Sequence, residues 1–165
     1  MKRIGIIGPE SCGKTTLADH LAKKYQGVFI PEYARTYLEE RQTTIYSLED
    51  VLAIAERQKE ELLHPEKLFP TQSSEPIYFY DTELIITKVW LLHKYHFCPE
   101  WIDDLLRSCP MDLYLICSPD IPCAYDPLRE NLDQRSLFFD WYVKEVENLA
   151  VPYRIITGNR GDFML

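Results

Sequence analysis

Short apolar runs alternate along this chain with longer segments in which apolar residues return every three or four positions. The first run, over residues 3–7, is nearly continuous through Ile4, Ile6 and Ile7, as expected of a strand buried on both faces at the centre of a parallel sheet. Residues 15–25 carry Leu17, Leu21 and Ala22 at helical spacing. Val28-Phe29-Ile30 predicts a short second strand ended by Pro31. Ser47, followed by Glu49 and Asp50, reads as the cap and acidic first turn of a helix running to about His64. Its apolar stripe is Leu48, Val51, Leu52, Ala55 and Leu62, and Glu56, Arg57, Lys59, Glu60 and Glu61 are expected on a solvated face.

After a proline-bearing loop over 67–76, Ile77-Tyr78-Phe79-Tyr80-Asp81 predicts a third strand, then a helix from Glu83 to about Tyr95 and a short helix over 99–109. A fourth strand over 113–117, a helix over 137–149 and a fifth strand over 153–157 complete the series. Strict strand–helix alternation implies a parallel sheet with right-handed crossovers and helices on both faces, an α/β fold. No repeat, low-complexity block or linker divides the chain, so residues 1–165 are expected to form one domain.

Composition narrows the function classes. With 18 Lys plus Arg against 26 Asp plus Glu, the net charge is -8, unlike the basic face that nucleic acid requires. The apolar stretch 84–92 is interrupted by Lys88, and the chain enters a strand within a few residues of Met1, so neither a membrane span nor a signal peptide is expected. Five cysteines, an odd number with no Cys-x-x-Cys pair, read as reduced thiols of a cytoplasmic protein. His93 and His96 have no evident third partner, so a metal site there is not expected.

The chemistry is concentrated in Gly8-Pro9-Glu10-Ser11-Cys12-Gly13-Lys14-Thr15-Thr16, a phosphate-binding loop set between a strand and a helix. Gly8 and Gly13 allow tight turns, and the backbone N–H groups from Glu10 through Thr16 offer an anion cradle at a helix N-terminus. Lys14 is expected on the β- and γ-phosphates of ATP and Thr15 on Mg²⁺. Cys12, at that N-terminus, is either an activated thiol or a small residue tolerated by the loop.

Ligands of open α/β sheets collect beyond the carboxyl ends of the strands. Glu32, Tyr33 and Arg35 follow the second strand and are candidate acceptor contacts, or alternatively a solvated helix start. Asp81 ends the third strand, where it either organises Mg²⁺ or caps the next helix. A proline-broken segment after the fourth strand presents Arg129 and Arg135, suited to a lid over a transferring phosphoryl group or to surface pairing with nearby carboxylates. Gly158 and Asn159 follow the fifth strand as a turn placed to close over a purine.

Taken together, the loop, Pro31-Glu32-Tyr33-Ala34-Arg35, Asp81-Thr82, Asp120-Ile121-Pro122 and Asp126-Pro127-Leu128-Arg129 resemble the ribosylnicotinamide kinase domain of the NadR family. The resemblance implies a three-layer P-loop kinase fold with sheet order 2-3-1-4-5 and a lid over about 118–136. It also implies transfer of the ATP γ-phosphate to the 5′-hydroxyl of nicotinamide riboside. In that scheme Lys14, Asp81, Glu32, Arg129 and Arg135 are catalytic, Thr15 and Asp81 serve the metal, and Glu32, Tyr33, Arg35 and Asp81 contact a small nucleoside. Three departures from the family pattern are that the chain begins directly at strand one without an adenylyltransferase domain, has Cys123 after Pro122 where relatives carry tryptophan, and ends soon after the Gly158 turn. It is therefore not expected to make NAD by itself. A kinase for another small nucleoside or metabolite, and a nucleotide-binding regulatory module with little turnover, are the alternatives. Oligomeric state is not legible.

Overall fold

The computed structural model describes residues 1–122 and 134–165. Strands β1 (Lys2–Ile7), β2 (Val28–Ile30), β3 (Ile77–Asp81), β4 (Leu113–Cys117) and β5 (Tyr153–Ile156) form one parallel sheet in the order β2-β3-β1-β4-β5. This is the order that the family resemblance implied. The central β1 sets Ile4 opposite Phe79 on one side and Leu113 on the other.

Side chains alternate across the pleat, and the two faces are covered separately. Ile4, Ile6, Phe79, Leu115 and Cys117 pack with Leu17, Ala18 and Leu21 of helix α1 (Lys14–Lys24). Ile7, Tyr78, Tyr80, Tyr114 and Ile116 turn to the opposite layer. That layer comprises α3 (Leu48–Leu63), α5 (Leu84–Tyr95), α6 (Glu100–Ser108) and α7 (Arg135–Leu149). The β1 run is apolar throughout because both its faces meet helices.

Two helices come between β2 and α5 besides α3, namely α2 (Tyr33–Glu40) and the single turn α4 (Pro65–Leu68). The start of α3 is fixed reciprocally: the Asp50 N–H donates to Ser47 Oγ at 3.3 Å, and the Ser47 N–H donates to Asp50 Oδ2 at 2.8 Å. Asp50 also accepts from the Tyr37 hydroxyl and pairs with Arg41, both at 2.8 Å, which ties α2 to α3.

Two sequence expectations need correction. Glu61 is not on a solvated face; it is buried and pairs with Arg57 at 3.1 Å, and its burial outweighs that partner and raises its pKa. Helix α7 begins at Arg135, two residues before the expected start, because its buried stripe is Phe138, Tyr142 and Val146 while Leu137 is exposed. Among the described residues, no helix is long and apolar enough to cross a membrane.

Candidate active site

The phosphate-loop motif occupies the turn between β1 and α1. Gly8 has φ 148, and a Cβ there would stand 2.6 Å from the Cys117 carbonyl oxygen and 2.8 Å from Cys12 Sγ. The loop therefore crosses the end of β4 too closely for any side chain. Lys14 opens α1 and curls back to donate from Nζ to the Pro9 carbonyl at 2.9 Å. Burial alone would lower the Lys14 pKa, but the negative potential of Cys12, Glu32 and Asp81 prevails and raises it. Thr15 and Thr16 stand exposed on the first turn of α1. The Thr15 hydroxyl donates to Asp81 Oδ2 at 2.6 Å.

Asp81 is 1% exposed, and its second oxygen, Oδ1, has no hydrogen-bond partner among the described residues. Burial first and the Glu32 carboxylate second push its pKa up to about 6, against the opposing pull of Thr15, Lys14 and Arg35. Asp81 does not cap the next helix; Glu83 occupies the N-cap position of α5. Between them Thr82 adopts φ 66, an unfavourable conformation for a β-branched residue, held by its N–H donating to the Ile6 carbonyl at 3.0 Å. That turn sends Asp81 toward Thr15 and Glu83 into the core, where the Tyr114 hydroxyl donates to Glu83 Oε1 at 3.1 Å. Burial pushes the Glu83 pKa up to about 7, despite N–H groups of Ile85 and Leu84 and the Tyr114 hydroxyl that favour its charge.

Beside the loop lies an open cavity. Pro9, Glu10, Lys14, Glu32, Arg35 and Thr82 contribute its polar lining. Tyr46, Trp90, His93, Phe138 and Tyr142 contribute an aromatic wall. The Trp90 indole N–H donates to the Tyr46 hydroxyl at 2.9 Å, with the rings edge-to-face at 4.8 Å. His93 packs edge-on to Phe138 at 4.9 Å, an aromatic contact that gives this histidine a packing role. Of the residues expected after β2, Glu32 and Arg35 reach the cavity. Tyr33 instead lies under the Arg57 guanidinium at 5.4 Å and beside Tyr37.

Arg135 Nη2 donates to the carbonyls of Ser11 at 3.1 Å and Ile121 at 2.8 Å, so this expected lid arginine grips the phosphate loop from behind. Arg129 and Cys123 lie outside the described residues. Gly158 has φ 72, and its N–H donates to Asp120 Oδ2 at 2.7 Å; Asn159 Oδ1 accepts from the Gly161 N–H at 3.0 Å. Cys12 is fully buried. Hydrogen bonding to the Cys117 thiol, helped by Lys14, Arg160 and Arg135, outweighs burial and lowers its pKa.

The oxygen donors gathered here suit a hard divalent cation such as Mg²⁺: the Thr15 hydroxyl, whose lone pairs stay available while it donates, and the unpartnered Oδ1 of buried Asp81. Sequence reasoning missed Arg160 and the aromatic wall, and it gave Asp120 no role beyond its place in the Asp120-Ile121-Pro122 motif. Arg160 stood between two glycines in the turn after the last strand, which was a usable signal. The wall residues belong to no local motif and come from separate segments of the chain.

A family model described as an AAA domain matches residues 3–163. Among solved structures, the chain is similar to a NadR protein in complex with NAD and AMP-PNP (TM-score 0.72, 23% identity, 99% of this chain and 45% of that one). It is also similar to a NadR protein in complex with NR (TM-score 0.70, 25% identity, 93% and 43%). A deoxyadenosine kinase from M. mycoides shares the fold at 12% identity (TM-score 0.63, 94% and 90%). The chain thus spans less than half the length of the NadR proteins it matches.

Proposed function

The chain belongs to the AAA domain family, and from that premise we propose that it is an ATP-dependent kinase that phosphorylates the 5′-hydroxyl of nicotinamide riboside, giving nicotinamide mononucleotide. The observation that carries this reading is the continuity of the cavity, from Lys14 and Glu32 beside the phosphate loop to the wall of Tyr46, Trp90, Phe138 and Tyr142. A nucleoside laid along it places its hydroxyl at the phosphate end and its base against aromatic faces. The nicotinamide ring of the riboside is cationic, which aromatic faces favour.

In this mechanism Lys14 exchanges its bond to the Pro9 carbonyl for the β- and γ-phosphates of ATP. Thr15 and Asp81 are the residues that would hold Mg²⁺, which would supply charge neutralisation there. Asp81 already engages Thr15 through one oxygen and offers the other to the cation. Glu32, lining the cavity next to Lys14, is the carboxylate that orients the acceptor hydroxyl and takes its proton. Arg129, in a lid over about 118–136 of a single kinase domain, stabilises charge on the transferring group and excludes water. Gly158 and Asn159 border the purine.

The test is incubation of folded, Mg²⁺-supplemented protein with ATP and nicotinamide riboside, followed by detection of the mononucleotide. Absence of product would remove the acceptor assignment, and ADP release across a panel of other ribosides identifies a different nucleoside. The likeness to a deoxyadenosine kinase motivates that second reading. ATP binding with no turnover on any acceptor would leave a regulatory module.

A further inference from the structure

Arg160 is 2% exposed and lies behind the phosphate loop, in the 3-10 turn Arg160–Asp162 that follows β5. A buried guanidinium is costly unless its donors are satisfied. Here Nε donates to the Cys12 carbonyl at 3.0 Å, Nη1 to Gly158 at 2.6 Å, and Nη2 to Ser118 at 2.9 Å and to Asp120 Oδ1 at 2.6 Å. The other Asp120 oxygen accepts the Gly158 N–H. The Arg160 stem also fills the space beside Gly13: a Cβ at Gly13, whose φ is 80, would stand 2.7 Å from Arg160 Cγ.

The Cys12–Gly13 peptide bond is trans, so its C=O and N–H point in opposite directions. With the Cys12 carbonyl held toward Arg160, the Gly13 N–H faces the other side of the loop, where a polyphosphate would sit. The bond from Arg135 to the Ser11 carbonyl does the same for the Cys12 N–H one residue earlier. The geometry assigns Arg160, anchored by Asp120, as a positioning residue that pre-sets the Gly13 N–H for the nucleotide phosphates. Such pre-orientation spares the loop a reorganisation on binding. The inference rests on the nucleotide-binding part of the proposed function and not on the identity of the acceptor.

Cys12-Gly13 is the one Cys-Gly step in the sequence, so protein carrying ¹³C-carbonyl cysteine and ¹⁵N-glycine reports the Gly13 amide as a single resonance. In wild type, ADP is expected to move that resonance strongly. In Arg160→Lys, whose single ammonium cannot reach all four acceptors, the ADP-induced shift is expected to collapse and the ADP Kd to rise at least tenfold. In Asp120→Asn, at a partly exposed position, a smaller shift and a two- to fivefold rise are expected. A merely structural role would lower the Tm and leave the ADP-induced Gly13 shift intact. Folded Arg160→Lys with wild-type ADP affinity and Gly13 shift overturns the assignment. If that variant does not fold, an unchanged Kd and shift in Asp120→Asn overturns it. Wild-type protein that binds no ADP overturns the nucleotide-binding reading and this assignment with it, whereas failure of nicotinamide riboside as acceptor leaves the ADP readout unaffected.

Discussion

The hydroxyl of Thr15 donates to Asp81 Oδ2 across 2.6 Å, joining the first turn of α1 to the end of β3. The bond closes the gap between the phosphate loop and the neighbouring strand, leaving one buried carboxylate oxygen for a cation. Asp81→Asn keeps an acceptor for Thr15 while removing the charge. It is expected to lower turnover by about 100-fold, on the scale of losing one electrostatic group at a reacting centre. ADP affinity measured in EDTA should change little. Equal losses in both measurements would mean that Asp81 shapes the loop and does not serve the metal.

The aromatic wall sets a prediction on the acceptor side. Trp90→Ala removes the indole that binds the Tyr46 hydroxyl and faces the cavity. The acceptor KM is expected to rise about tenfold, the scale of one lost aromatic contact, while the ATP KM stays within about twofold. Steady-state kinetics with each substrate varied in turn decide it. A rise confined to ATP would place the acceptor elsewhere.

Arg129 is predicted to act during transfer. Arg129→Ala should lower kcat by about 100-fold with only a small change in ATP affinity, as expected for an interaction made chiefly in the transition state. Single-turnover rates alongside equilibrium nucleotide titration separate the two. An effect on affinity alone would identify a ground-state clamp.

Glu83 predicts a pH-dependent stability. Its folded pKa, about 7, is raised from an ordinary 4.5 by burial, so the folded state prefers the protonated acid. The stability this supplies is complete below the ordinary value and is lost as pH rises through about 7. The groups facing the carboxyl are the Tyr114 hydroxyl from β4 and the Leu84 and Ile85 N–H groups of α5. Glu83→Gln keeps an acceptor for them and cannot ionise. It is expected to unfold at higher denaturant than wild type at pH 8.5, by on the order of 3 kcal/mol, with a much smaller difference at pH 5. Equal differences at the two pH values would show that Glu83 does not titrate in this range.

The sequence by itself determined the strand–helix alternation, the loop from Gly8 to Thr15 and the position of Asp81 at a strand end. Each is written in spacings within one turn or one strand, which local backbone geometry converts directly into structure. The Ser47–Asp50 cap was legible for the same reason. Tertiary structure alone decided what stands behind and opposite the loop. Arg160 meets the Cys12 carbonyl across 148 residues, and that contact depends on β4 lying between β1 and β5. The aromatic wall draws Tyr46 from the segment before α3, Trp90 from α5 and Phe138 from α7, one loop and two helical patterns that separately signal only packing. Glu61 shows the same limit from the other side, since a charged run reads as solvent-facing until the neighbouring layer buries one member of it. Side-chain periodicity records which face of an element is apolar. Which element covers that face, and so which polar groups are dried and driven to pair, is fixed only when the sheet order brings distant segments together.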